Sequence, residues 1–359
     1  IMKIFLSGGG TLGPVIPLLA IYEIYHRHNS ECQFIWVGTK KGPEKEIVEK
    51  YNIPFFVITA GKWRRYLSFW NIIDLFKLVW AVIHAFVLLI QEKPSLLISA
   101  GGFVSVPLHW AAWALGIHTW VHQQDARVGL ANRLMVKTAI KITTALKETV
   151  SFFPAKKTEW LGNPVRDLVV QDKEISRQKF GLPPNCPVIF ALGGGTGSNR
   201  INKLIVEALS QWPSQWQIIH LVGRERPSDL AEGATSTFKN YHVYKFFTDE
   251  MKDAYAIADV VIARAGFATI TELAALSKPA VLLPMSETHQ EENVRVLVEH
   301  KAAVIVDERT VEGVQLAHVV KDLIYHPEVR EYLGKRLHMV LPPAKAERVV
   351  GIIEDVSNN

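Results

Sequence analysis

The residues best able to do chemistry lie in a few short blocks. Arg264-Ala265-Gly266-Phe267-Ala268-Thr269-Ile270-Thr271-Glu272 follows the apolar run Val260–Ala263, with a glycine to turn the chain and a helical pattern holding Thr269 and Glu272 in its first turn. Free amides at such a turn bind a pyrophosphate, and a carboxylate one turn on accepts hydrogen bonds from ribose hydroxyls. The same three-residue spacing also permits a plain capping box between Thr269 and Glu272. Downstream, His289, Gln290 and Asn293 follow another strand-like run and offer neutral donors and acceptors suited to sugar hydroxyls, or simply a solvated helix start. Neither a second His at ligand spacing nor an Asp-x-Asp pair accompanies them, so no metal is demanded.

Two glycine clusters form the other candidate phosphate sites. Gly8-Gly9-Gly10-Thr11-Leu12-Gly13 follows Lys3–Leu6, and Gly193-Gly194-Gly195-Thr196-Gly197-Ser198 follows Val188–Leu192. Glycines let the backbone approach a diphosphate, and the next helix adds free N–H groups. The first cluster satisfies G-x-G-x-x-G, but the second strand ends Val37-Gly38-Thr39-Lys40-Lys41 without the acid a dinucleotide enzyme needs. Neither cluster ends in the Gly-Lys-Ser/Thr of a nucleoside-triphosphate loop.

Positioning these blocks requires strands that end where the glycines begin. Each glycine cluster sits between a continuous apolar run and a helical run, Ile16–Tyr25 in one case and Ile201–Leu209 in the other. That unit opens a doubly wound α/β domain, and its recurrence predicts two. Further strands are expected at Phe34–Val37, Phe55–Ile58, Leu96–Ser99, Thr119–His122 and Thr149–Phe152 in the first half. In the second half they fall at Ile218–Val222, His242–Tyr244, Val260–Ala263, Ala280–Leu283 and Ala303–Val306. The expected division is residues 1–163, a linker over 164–186, a second domain over 187–341, and a C-terminal helix over 342–359 that caps the second domain or crosses back to the first.

Composition sets the wider bounds. The chain has 359 residues, 48% hydrophobic and 21% charged, which is enough for two cores and too apolar for disorder. A net charge of +5 favours an anionic partner, though no RNA-binding motif accompanies it, and nucleic acid is not expected. Two cysteines, Cys32 and Cys186, are too few for a disulfide framework and imply a reducing compartment. The amino terminus lacks a signal-peptide pattern. Ile72–Ile90 approaches the length of a membrane span but carries Asp74, Lys77 and His84. Ile72, Phe76, Val79, Ile83, Phe86 and Ile90 share one face, expected to pack the sheet. Before it, Trp63, Arg64, Arg65, Tyr66, Phe69 and Trp70 mix cations with aromatics, as an interfacial contact with anionic lipid requires.

Taken in order, the blocks resemble the MurG family, inverting transferases that add N-acetylglucosamine to lipid I to give lipid II for peptidoglycan synthesis. Besides the two glycine clusters, the matching stretches are Gly101-Gly102-Phe103-Val104-Ser105-Val106-Pro107, His122-Gln123-Gln124-Asp125, Gly129-Leu130-Ala131-Asn132 and Gly162-Asn163-Pro164-Val165-Arg166. Phe247–Met251, Arg264–Glu272 and His289–Asn293 complete them. The resemblance spans nearly the whole chain and implies a GT-B fold: α/β, with two Rossmann-like doubly wound parallel-sheet domains facing a cleft. It implies UDP-N-acetylglucosamine as donor, lipid I as acceptor, no cofactor, and a peripheral location on the cytoplasmic face of the cell membrane. By resemblance Arg166, Gly195 and Thr196 approach the donor, and the Thr248 backbone reads the uracil. Phe267, Ala268, Thr269, Ile270, Thr271 and Glu272 hold diphosphate and ribose, and Gln290 the sugar. Thr11, Leu12, Gly13 and Asp125 face the transferred sugar.

The chain departs from the family pattern at several of these positions. Leu12 replaces a glycine, Pro14 a histidine, Gly195 a serine and Phe103 a tyrosine, while His-Glu-Gln-Asn becomes His122-Gln123-Gln124-Asp125. Pro14 can be neither base nor donor. Asp125 is the ionisable group placed to compensate, and His122 the second candidate; either also has a bland role, in orienting sugar or filling a strand end. Alternatives to the leading reading are a related GT-B transferase with another lipid acceptor, and a catalytically weak homologue that binds UDP-sugar.

Overall fold

The computed structural model describes residues 2–58, 70–170 and 172–358. The chain divides into two compact units: residues 1–166 with 343–359, and residues 167–342. Unit 1 contains β1 (Lys3–Ser7), α1 (Val15–His28), β2 (Gln33–Gly38), α2 (Glu44–Lys50), β3 (Phe55–Val57), α3 (Trp70–Glu92), β4 (Leu96–Ser99) and α4 (Ser105–Ala114). It continues through β5 (His118–Gln123), α5 (Leu130–Met135), β6 (Lys141–Thr144) and β7 (Thr158–Trp160). Unit 2 contains α6 (Lys173–Lys179), β8 (Val188–Leu192), α7 (Asn199–Ala208), β9 (Gln217–Leu221), α8 (Asp229–Ala234), β10 (Tyr241–Tyr244) and α9 (Glu250–Ile257). After these come β11 (Val260–Ala263), α10 (Phe267–Ala275), β12 (Ala280–Leu282), α11 (His289–Glu299), β13 (Val304–Ile305), α12 (Gly313–Tyr325) and α13 (Pro327–Val340). A last helix, α14 (Ala346–Asn358), belongs to unit 1.

Both sheets are parallel throughout, ordered β3-β2-β1-β4-β5-β6-β7 and β10-β9-β8-β11-β12-β13. The central strands are buried on both faces, which is why they read as unbroken apolar runs. In each sheet the winding direction reverses between two neighbours, β1 and β4 in unit 1, β8 and β11 in unit 2. Ligands bind at such switch points, beyond the carboxyl ends of the strands. Each glycine cluster opens at one, directly after β1 and directly after β8.

Three expectations about elements change. Thr149–Phe152 is not a strand: Glu148–Phe152 is a 3₁₀ turn, pinned by the Thr149 hydroxyl on the Leu146 carbonyl at 2.8 Å. The strands on that side are β6 and β7, whose polar, mixed residues hide them from pattern reading. The stretch 164–186 is no bare linker, because α6 lies in it and docks on α9 through Ser176 Oγ to Asp253 at 2.7 Å and Lys179 to Asp253 at 2.8 Å. And the face of α3 expected to pack inward points partly out. Ala81, Ala85, Leu88 and Leu89 enter the core with α4, while Val79, Trp80, Ile83, Val87 and Ile90 are exposed. Small Ala81 and Ala85 admit close packing, so they win the inner face from the bulkier residues.

Helix α14 returns to unit 1 against α1, β4 and β5, burying Val349, Ile352, Ile353 and Val356. Its chain re-enters beside Asn163, whose carbonyl accepts from the Ala344 amide at 2.9 Å. Fully buried Ile353 makes this docking testable. Ile353→Ala should lower the stability of unit 1 by about 3 kcal/mol. In urea titrations the unit 1 transition moves to lower urea while that of unit 2 stays in place.

Candidate active site

At the carboxyl end of the unit 2 sheet, β8 and β11 pair with Leu192 beside Ala263, so the Gly193 loop and the Arg264 block are neighbours. The loop is tightly folded. Gly197 has φ +85° and Gly223 φ +98°, and a Cβ on Gly223 would lie 2.2 Å from the Gly197 Cα. Only a glycine pair allows these two backbones to touch. Arg226 Nε donates to the Gly197 carbonyl at 3.3 Å, which places a cation on the loop.

Arg264 is buried and ties the loops together. Its guanidinium donates to Ser198 Oγ at 2.7 Å, to the Leu283 carbonyl at 3.1 Å and to Glu308. Ser198 in turn caps α7, accepting from the Ile201 amide at 3.3 Å. Glu308 also accepts from the Ser286 amide at 2.8 Å. One side chain thus secures the loops after β8, β12 and β13 to the end of its own strand. The planar fork of arginine serves this divergent set of acceptors; a lysine would not.

Helix α10 begins differently from its neighbours. A serine or threonine side chain caps α7 and α11, through Ser198 and Thr288. Gly266 at the N-cap of α10 offers no side-chain cap, and its first turn carries no acid. Its amides and the positive end of its dipole are therefore suited to an anion. The capping box between Thr269 and Glu272 does not form, since both lie inside the helix. Glu272 is buried and accepts from the Tyr255 hydroxyl at 3.1 Å. Tyr255 packs edge-on against Phe190, which stacks with Phe247, so one aromatic column sets both Glu272 and the loop bearing Thr248. The Thr248 amide is directed to the Glu250 carboxylate at 3.3 Å.

The residues after β12 have divided tasks. Gln290 is half-buried; its Oε1 accepts from the Met285 amide at 3.0 Å. Asn293, read as a sugar contact, is instead fully buried and donates to the Ala265 carbonyl at 3.2 Å. It braces the turn before α10, because its position one turn into α11 faces inward.

In unit 1 the candidate bases separate. His122 is fully buried, with Nδ1 2.8 Å from Thr143 Oγ1 and Nε2 2.8 Å from Asn163 Oδ1. Trp120 Nε1 donates to the same Thr143 hydroxyl at 2.8 Å, so that hydroxyl gives its proton to His122 Nδ1 and Nε2–H points to Asn163. Both ring nitrogens are occupied, and burial pushes the pKa down to about 4. Asp125 lies just past β5 and is partly exposed; its carbonyl accepts from Gln123 Nε2 at 2.7 Å. Thr11, Leu12 and Gly13 lead into α1 with Pro14 at its N-cap. Arg166 closes unit 1 beside Tyr51, whose hydroxyl donates to Glu23 at 2.9 Å; burial and Glu23 raise the tyrosine to about 12 against the pull of Arg166. The end of β2 carries no acid for a ribose; Glu44, three residues past Lys41, is buried beneath the first glycine loop, where its carboxylate accepts from the Gly10 and Thr39 amides. Its position at the start of α2, following Gly42 and Pro43, is the signal that pattern reading passed over. Among the described residues no cluster of three or more His, Cys, Asp or Glu could hold a metal.

Two parallel Rossmann-like sheets, each with a glycine loop at its switch point, define the GT-B fold class. The glycosyltransferase family 28 N-terminal domain matches residues 4–144, and the family 28 C-terminal domain matches residues 188–339. The chain is 31% identical to a Bacillus subtilis (strain 168) protein over 99% of both chains. It is 38% identical to a Staphylococcus carnosus protein over 79% of this chain and 77% of that one. Both relatives carry the name UDP-N-acetylglucosamine--N-acetylmuramyl-(pentapeptide) pyrophosphoryl-undecaprenol N-acetylglucosamine transferase. The crystal structure of Acinetobacter baumannii MurG superposes with TM-score 0.74 at 25% identity, covering 99% of this chain and all of that one. The chain belongs to the MurG family.

The environment of His122 has a measurable consequence. Burial favours its neutral form, so its contribution to stability is complete above the unfolded value of 6.5 and is lost as pH falls toward about 4. In an NMR titration from about pH 5 to about pH 8, where an ordinary histidine titrates, its ring signals should stay still. A midpoint near the ordinary value would return His122 to the candidate bases.

Proposed function

We propose that this chain transfers N-acetylglucosamine from UDP-N-acetylglucosamine to the muramyl sugar of lipid I, inverting the anomeric configuration. The observation that carries the donor assignment is the uncapped, acid-free start of α10 beside the Gly193 loop, with buried Glu272 one turn further on. The full-length similarity to transferases of that name supports the acceptor.

The diphosphate lies on the amides of Phe267, Ala268 and Thr269, and Glu272 accepts from the ribose hydroxyls. Ile270 and Thr271 continue this turn, Thr248 borders the uracil, and Gln290 meets the sugar through its free amide end. Gly195, Thr196 and Arg166 complete the donor contacts, with Thr11, Leu12 and Gly13 facing the transferred sugar. An acceptor hydroxyl attacks the anomeric carbon opposite UDP. The new carbon–oxygen bond forms as the bond to the β-phosphate oxygen breaks, and the hydroxyl proton passes to Asp125. Fixed backbone dipoles receive the charge developing on the leaving diphosphate, a contribution worth several kcal/mol in a dry site. Pro14 has no proton to exchange and His122 no nitrogen to spare, which leaves Asp125 as the base.

Contact with the cytoplasmic face of the cell membrane belongs to the same proposal. Trp63, Arg64, Arg65, Tyr66 and Phe69 lie outside the described residues, as does the side chain of Trp70. The described part of α3 nevertheless presents Trp80, Ile83, Val87 and Ile90 outward at helical spacing, and exposed Trp113 stands on the adjoining α4. A contiguous apolar stripe of this kind marks an interaction surface, and the acceptor is a lipid. Among the described residues no helix is long and apolar enough to cross a membrane.

The deciding assay combines purified protein, UDP-N-acetylglucosamine and a lipid I analogue, and follows UDP release and product mass. Turnover only with another lipid would replace the acceptor, and tight UDP binding without turnover would indicate a binding homologue. Asp125→Asn should cut kcat by about a hundredfold or more while donor KM changes little. An unchanged rate would remove Asp125 as base. Glu272→Gln should raise donor KM about tenfold, the loss of a charged hydrogen bond. Trp80→Asp combined with Ile83→Asp should reduce flotation with anionic vesicles and leave turnover of a water-soluble acceptor intact; undiminished flotation would count against the α3 surface.

A further inference from the structure

We propose that unit 2 carries a second small-molecule site, at the amino end of its sheet, for an organic phosphate: a phosphate group on an apolar body. A cavity of about 540 Å³ opens there, within the usual range for small-molecule pockets. It is lined by the segment before α6, by α6 itself, by the residues leading into β11 and β12, and by the start of α13. All of these belong to unit 2. The candidate donor site lies beyond the opposite end of the same strands. The four residues of β11 separate the two, a distance of roughly 13 Å at strand rise.

The cavity is preformed. Ser277, in the turn between α10 and β12, holds φ +51°, a left-handed conformation unusual for a residue with a side chain. Its carbonyl oxygen would lie 2.0 Å from a Cβ on Gly334, so only glycine lets α13 rest on this turn. The next residue, Lys278, donates from Nζ to the carbonyls of Ala256 and Ala258 at 3.0 and 2.8 Å, closing the end of α9. Arg330 donates through Nη1 to the Leu323 and Ile324 carbonyls at the end of α12. Two cations are thus fixed by backbone, each with a donor to spare. Lys278 keeps a third N–H, and Arg330 Nη2 is 3.9 Å from Asp259, short of a hydrogen bond.

Charge sets the class of ligand. The acids that line the cavity are already engaged. Asp259 accepts from the Val188 amide at 2.9 Å, Glu331 accepts from Lys335, and Glu174 lies 3.7 Å from Arg177. Arg177 in turn donates to the Pro183 and Cys186 carbonyls. Lys173 is exposed and, among the described residues, has no ion-pair partner. The uncommitted groups are therefore Lys173, Lys278 and Arg330, a set suited to a dianion. Burial, with Lys173 nearby, lowers the Lys278 ammonium to about 8 against the pull of Asp259, and an anion between the lysines offsets both effects. Leu168, Val170, Ile257, Leu276 and Pro279 supply an apolar wall. An organic phosphate meets both halves, whereas inorganic phosphate meets only the cations.

Phenyl phosphate, titrated calorimetrically into the full chain with saturating UDP and no divalent metal, reads this site. One site should remain, with inorganic phosphate bound at least about tenfold more weakly for want of the apolar contact. Lys278→Met, at unchanged melting temperature, should weaken phenyl phosphate about tenfold or more through loss of a charge-assisted hydrogen bond. Should that variant not fold, Lys173→Glu decides, since its side chain is exposed, and the same loss is expected. No phenyl phosphate binding in the presence of UDP would overturn the proposal. So would equal affinity for inorganic phosphate, or binding that a folded lysine variant leaves unmoved. The site does not depend on the transferase reading: absence of turnover with this binding pattern intact would defeat that reading alone.

Discussion

A buried parallel strand has to end somewhere, and the polar backbone of the loop that follows must find partners without water. This constraint organises both units. In unit 2 the partner is Arg264, whose fork reaches Ser198, the Leu283 carbonyl and Glu308 from inside the sheet end. In unit 1 it is Glu44, collecting the Gly10 and Thr39 amides, with Trp36 Nε1 donating to the Gly8 carbonyl at 3.0 Å. The two solutions have opposite charge, and two loops alike in residue type become unlike in chemistry.

Helix ends carry the difference outward. Where a loop side chain already caps the helix, as Ser198 and Thr288 do, the amides are committed. Helix α10 has instead a bare Gly266 start, and its turn is held from behind by Asn293 on the Ala265 carbonyl. Rigid support beneath and open amides above is the arrangement a leaving diphosphate requires, because preorganised dipoles need no reorientation as charge develops. The aromatic column of Phe190, Phe247 and Tyr255 extends the same rigidity to Glu272.

Unit 1 closes on itself through its most distant segments. The return of the chain at Pro343 pairs with Asn163, and the Asn163 side chain bonds His122 at the end of β5. His122 is therefore a structural pin for the point where the chain leaves and re-enters this unit. A motif histidine beside an acid reads as catalytic from its type; its burial and its two partners give it another task.

The two-domain plan was legible because continuous apolar runs and glycine clusters are local features, and parallel strands buried on both faces display them openly. Family membership was legible for a similar reason, since the order of short motifs survives in one dimension. The inward face of α3 was not, because a helix apolar nearly all round gives no periodic clue and packing chose the small side, Ala81 and Ala85. Nor were the roles of His122, Asn293 and Glu44, whose partners lie 41, 28 and 34 residues away. Residue type and spacing determined which groups could reach a ligand. Only the tertiary structure decided which were already spent, because hydrogen-bond capacity is finite and distant backbone claims it first.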